Sequence, residues 1–182
     1  QVDNPAENAT PERIDGMFSG PKTDMEGGKD PLTPEEVRQL VDNVPPDNPV
    51  RNELIIRLLY QTGVRRSELV RIKLSHIDRD DRRITIYGKK TEESRKVWYK
   101  PSLDTLLDLW IDGDRNAVFY ADKSDYLFPT VKGERMSGQT VTSVVTESAE
   151  RAGIQETIYV DRAGDRVRRV TPHILPKTFG VQ

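Results

Sequence analysis

The chain has 182 residues, 35% of them apolar and 32% charged, with a formal charge of −2 and no cysteine. That length buries one domain-sized core. Lack of cysteine excludes disulfides, zinc–thiolate centres and cysteine nucleophiles, and no run approaches the ~20 apolar residues of a membrane span.

Residues 1–31 hold Pro5, Pro11, Gly16, Gly20, Pro21, Gly27, Gly28 and Pro31 with few apolar positions, and read as a flexible linker. A linker at the start implies a preceding domain. The acidic, Pro/Asn-rich beginning lacks the basic and apolar regions of a signal peptide, so a cytoplasmic protein without membrane contact is expected. Structure is expected from Leu32, where Thr33 caps a helix, Pro34 suits its first position and Glu36 completes a capping box. That helix buries Val37, Leu40 and Val41 and stops before Pro45-Pro46. A second helix runs from about Asn48 to Gln61 with Leu54, Ile55, Leu58 and Leu59 on one face and Gly63 ending it. A third is expected at about 67–73.

The apolar period then changes. Residues 83–87 and 96–99 read as two strands joined by a polar loop from Gly88 to Arg95. Helices follow at about 102–112, with Leu103, Leu106, Leu107 and Trp110 inward, and at about 137–152, capped by Ser137 and closed by Gly153. A second hairpin pairs 157–160 with 167–170 around Asp161–Asp165, and Thr171-Pro172-His173 starts a last helix. The fold class expected is α+β, mainly helical, with small antiparallel β-hairpins.

Charge is segregated along the chain. Residues 1–32 carry seven acidic and three basic side chains, and 101–161 carry eleven acidic and five basic. Residues 62–100 carry twelve basic and six acidic, and 162–177 carry five basic and one acidic. If folding preserves this division, one electropositive face attracts a polyanion despite the acidic total.

The string Leu58-Leu59-Tyr60-Gln61-Thr62-Gly63-Val64-Arg65-Arg66-Ser67-Glu68-Leu69, with Ile72 to Asp78 and a hairpin after it, closely resembles the first catalytic-arginine signature of the tyrosine recombinases, the phage integrase family. Thr171-Pro172-His173-Ile174-Leu175-Pro176-Lys177-Thr178-Phe179 is similar to the family's second signature, usually His-x-Leu-Arg-His-Thr-Phe. Both stand in the family's order, and the resemblance covers about residues 32–182. It implies a recombinase catalytic-domain fold behind a linker from an N-terminal DNA-binding domain. It also implies double-stranded DNA as partner, no cofactor and no metal.

In that family a tyrosine attacks a phosphodiester, forming a 3′-phosphotyrosine and releasing a 5′-hydroxyl. Guanidinium groups stabilise charge developing on the non-bridging oxygens, the role the resemblance assigns to Arg65. A hairpin-loop lysine protonates the leaving 5′-oxygen as general acid. Lys89 and Lys90 are the candidates, and the Lys90-Thr91 pair favours Lys90. His173 resembles the histidine that contacts the scissile phosphate. Arg66, Lys89, Arg95 and Lys96 on the first hairpin side, with Arg168 and Arg169 on the second, are expected to meet DNA phosphates. Glu68 is expected to support Arg65 or the fold, and His76 to be structural; neither histidine has a cluster suggesting a metal.

Two features depart from the family. Pro176 occupies the second arginine position and Lys177 the usual histidine. The proline also removes a backbone donor and crowds the preceding turn, at roughly 3 kcal/mol in a regular helix. All six tyrosines, at 60, 87, 99, 120, 126 and 159, precede the second signature, so none matches the nucleophile. The full-length activity implied is site-specific DNA recombination or integration, while this polypeptide is expected to bind DNA without cleaving it. The alternative is a non-catalytic DNA-binding or regulatory relative. Family members assemble as tetramers on paired sites; a monomer is expected for this chain alone.

Overall fold

The computed structural model describes residues 30–88 and 93–175. The expected linker up to Lys29, the hairpin lysines Lys89 and Lys90, and Pro176 and Lys177 lie outside the described residues.

Helix α1 is Pro34–Asp42. The Thr33 hydroxyl accepts the Glu36 N–H at 3.2 Å, and the Glu36 carboxylate accepts the Thr33 N–H at 2.8 Å, so two orphan donors are satisfied reciprocally. Val37, Leu40 and Val41 face inward, as their spacing predicts. Helix α2, Pro49–Thr62, starts on the Asn48 cap and buries Leu54, Ile55, Ile56, Leu58 and Leu59. It packs against α1 and against α5, Gly138–Arg151, which Ser137 caps and which buries Val141, Val144, Val145 and Ala149.

The third helix is shorter than expected. Helix α3 is Arg66–Leu69 alone, because the chain beyond it pairs with a distant segment. The Leu74 N–H donates to the Asp125 carbonyl and the Leu127 N–H to the Ile72 carbonyl, each at 2.8 Å, which pulls 72–74 into an extended path. These tertiary bonds override the weak helical preference of a short segment.

Strands β1 (Ile77–Asp78), β2 (Arg83–Tyr87) and β3 (Ser94–Trp98) form an antiparallel sheet in that order. Strand β3 begins two residues earlier than expected, and the two-residue β1 is too short to leave a periodic signal. Ile84 and Ile86 bury one face of β2, opposite Val97 and Arg95. The helix expected at 102–112 is divided into a 3-10 turn over Pro101–Leu103, α4 over Asp104–Asp108, and one π turn over Leu109–Gly113. Leu103, Leu107 and Trp110 are fully buried, while Leu106 is only partly so.

Strands β4 (Thr157–Val160) and β5 (Arg166–Arg168) form the second hairpin, closed by Asp161, whose carboxylate accepts the Ala163 and Asp165 N–H groups at 2.9 Å. Strand β5 ends before the expected Val170. Gln155 instead clamps Val170, donating to its carbonyl and accepting its N–H, both at 2.9 Å, and the Val170 side chain enters the common core. The described residues are thus mainly helical with two small antiparallel sheets, in agreement with the expected fold class.

Candidate nucleic-acid interface

The turn that carries Arg65 is built by the end of α2. Thr62 donates its hydroxyl to the Leu58 carbonyl at 2.6 Å, and Gly63 takes a left-handed φ of 66° while its N–H bonds the Leu59 carbonyl. A side chain at Gly63 would meet the Cβ penalty of that region. Val64 is fully buried and pins the turn, and Arg65 follows in extended backbone as the N-cap of α3. Its side chain is exposed, and among the described residues no hydrogen bond or ion pair engages its guanidinium.

The other expected phosphate contacts are placed differently from one another. Arg66 reaches across to α5, where its guanidinium donates to the Thr142 hydroxyl at 2.7 Å and its stem packs beside Gly138. Arg95 donates both amino groups to Glu68, at 2.6 and 2.9 Å. Lys96 is exposed and opposite Thr85, on the reverse face of β3 from Arg95, because successive strand residues alternate faces. Arg168 pairs with Glu150, and Arg169 with Glu36 at 2.8 Å with both side chains largely buried. Adjacent basic residues therefore do not form one free cluster. Arg95, Arg168 and Arg169 already serve carboxylates, and Arg169, the residue after β5, bonds the capping-box glutamate of α1.

His173 is exposed, between the buried Pro172 and the buried Ile174 and Leu175, so its imidazole is turned outward while its neighbours anchor the segment in the core. Among the described residues no hydrogen bond joins it to Arg65. His76 fills the structural role expected of it. Its Nδ1 accepts the Lys73 N–H at 3.2 Å and its ring lies 4.7 Å from that of Tyr87. Burial first, and the Lys73 charge second, hold its pKa below the usual histidine value. The folded state thus favours neutral imidazole. Its stabilising contribution is full above the unfolded pKa of about 6.5 and is lost as pH falls below it. Thermal melts between about pH 7.5 and pH 5.5 should show falling Tm, and His76→Gln should flatten that limb.

Arg115 escaped the sequence reading, since one arginine in an acidic stretch carries no periodic signal. It is 4% exposed and donates to the carbonyls of Ser124 and Tyr126 at 2.7 and 2.8 Å, holding the strand-like segment that pairs with 72–74. Arg115→Met leaves those acceptors without a donor and should lower stability by about 1–3 kcal/mol per buried group, read as a shift in urea midpoint.

A cleft of about 870 Å³ lies between β1, β2 and α4, lined by Asp78, Asp80, Asp104 and Asp108 with Arg79 and Arg83. It contains none of the candidate site residues, and its carboxylate excess disfavours a phosphate. Among the described residues no helix is long and apolar enough to cross a membrane, and no group of three acidic or histidine side chains could hold a metal ion.

The described residues thus comprise a helical core, a glycine-stopped turn that presents Arg65 outward, and a core-anchored segment that carries His173. The model of the phage integrase family matches residues 31–182, and the chain belongs to that family. Over 151 residues it is 32% identical to the tyrosine recombinase XerA of Pyrococcus furiosus, covering 81% of this chain and 46% of that protein. It is 30% identical over 154 residues to the tyrosine recombinase XerD of Mycobacterium tuberculosis, with the same coverages. The chain spans about half the length of the curated relatives it matches. Among solved structures, a XerA recombinase superposes with a TM-score of 0.65 at 26% identity, over 82% of this chain and 48% of that one. The lambda integrase catalytic core shares the fold, with a TM-score of 0.56 at 18% identity, over 83% of this chain and 84% of that one.

Proposed function

We propose that the chain is the catalytic-domain segment of a site-specific DNA recombinase and that it docks on duplex DNA through the surface around Arg65. The observation that carries this reading is the Arg65 guanidinium, held outward by a glycine-stopped helix with no carboxylate partner among the described residues. A permanently charged, forked donor in that state suits a phosphate oxygen. His173 is the second candidate phosphate contact and Lys90 the general acid; Arg66, Lys89 and Lys96 supply further cationic contacts. Such contacts position the protein without specifying sequence. Residues 1–31 serve as a linker and 32–182 as the catalytic domain, and a tetramer on paired sites belongs to the full-length protein, with this chain alone a monomer.

Pro176 at the second arginine position favours binding without cleavage by this polypeptide. Two measurements test the proposal. Fluorescence anisotropy with a labelled duplex should give an affinity that falls steeply with salt, since each neutralised phosphate contributes a slope of about −0.9 in log K against log salt. A salt-independent or absent signal overturns DNA docking. A nicked suicide substrate should yield no covalent band, and such a band would show that one of the upstream tyrosines is a nucleophile.

A further inference from the structure

We propose that Arg95 is a positioning residue for Arg65, acting through Glu68, and not itself a phosphate contact. This rests on the reading of Arg65 given above. The arrangement consists of three bonds on one carboxylate. Glu68 Oε1 accepts one Arg95 amino group at 2.6 Å, and Oε2 accepts the other at 2.9 Å together with the Arg65 backbone N–H at 2.7 Å. The Glu68 side chain is only 11% exposed, so this anion is shielded from water three residues from the arginine that must face outward.

A partly dehydrated carboxylate attracts whichever guanidinium can reach it. Arg65 is close enough for its charge to help keep Glu68 ionised, although the largest cause is the Arg95 hydrogen bond. By filling both oxygens with its fork, Arg95 cancels the charge that would otherwise draw the Arg65 guanidinium inward. The same fork joins β3 to the backbone of the Arg65 turn across 27 residues of sequence. Strand β3 and the arginine turn thus share one anchor. Arg95 and Lys96, adjacent in sequence, thereby take different tasks on opposite faces of the strand.

A thermodynamic cycle on the 182-residue chain, with a labelled mixed-sequence duplex as probe, separates the two roles. Arg95→Gln should weaken binding about tenfold and lower the salt slope by about 0.9, as Arg65 folds onto Glu68. Adding Glu68→Gln removes the competing anion and should bring affinity and slope back to within about twofold of Glu68→Gln alone. Arg95→Gln should also have no further effect in an Arg65→Gln background. If Arg95 contacts phosphate directly, the double variant with Glu68→Gln stays about tenfold weaker than Glu68→Gln, and the loss persists without Arg65; either result overturns the proposal. Should Arg95→Gln fail to fold by circular dichroism, Arg95→Lys replaces it in the same cycle. Lysine serves a single oxygen, so recovery on adding Glu68→Gln supports the proposal and an unchanged loss refutes it. Absence of salt-dependent binding by the unaltered chain refutes the DNA reading instead, which keeps the two failures distinguishable.

Discussion

Replacing Arg65 with glutamine should weaken duplex binding by roughly 10- to 100-fold at moderate salt, the worth of one hydrogen-bonded charge contact, and should reduce the salt slope by about 0.9. Stability should hardly change. The guanidinium is exposed and without an ion-pair partner among the described residues, while the backbone N–H that caps α3 onto Glu68 is retained in the variant. Affinity and folding are therefore separable at this position. Arg169→Gln should behave in the opposite way. Its guanidinium is bonded to Glu36, itself part of the α1 capping box, so urea stability falls while the salt slope is maintained. An Arg65→Gln protein with unchanged slope would remove Arg65 from the interface.

Trp110→Ala should cost about 3–5 kcal/mol, a large share of the stability of an ordinary domain. Trp110 is fully buried, its indole N–H donates to the Leu127 carbonyl at 2.9 Å, and its ring lies 5.9 Å from that of Phe128. The alanine variant removes the packing and the donor together. Trp110→Phe isolates the hydrogen bond, because most of the ring volume stays, and should cost about 1–3 kcal/mol for the unsatisfied carbonyl. Urea titrations with unchanged m-values would establish that both act on the folded state. The consequence reaches the interface through the chain path. Leu127 also donates its N–H to Ile72, so loosening 125–128 releases the extended segment that follows α3 and Arg65.

The legible parts of this chain were those in which neighbours in sequence decide the outcome. Thr33-Pro34-Glu35-Glu36 makes a capping box within one helical turn, and Thr62-Gly63 stops α2 by local bonds and a left-handed glycine, so helix ends and the turn before Arg65 follow from short-range chemistry. The two signatures likewise indicate the family, because the residues of each are contiguous. Length and apolar spacing were enough for α2 and α5, whose buried faces repeat at the helical period.

Composition revealed an electropositive stretch but not which cations are free. Arg95 and Glu68 stand 27 residues apart and Arg169 and Glu36 stand 133 apart, and no local pattern announces either pairing. The same holds for the extended path after Leu69 and for the buried Arg115, both set by bonds to residues 124–127. Read by itself, the sequence determined the family, the helical core and the turn that carries Arg65, since caps, glycine stops and apolar period act over a few residues. Tertiary structure alone decided which arginines face solvent and which are held by a carboxylate. Ion pairing depends on distances that only the assembled strands and helices create.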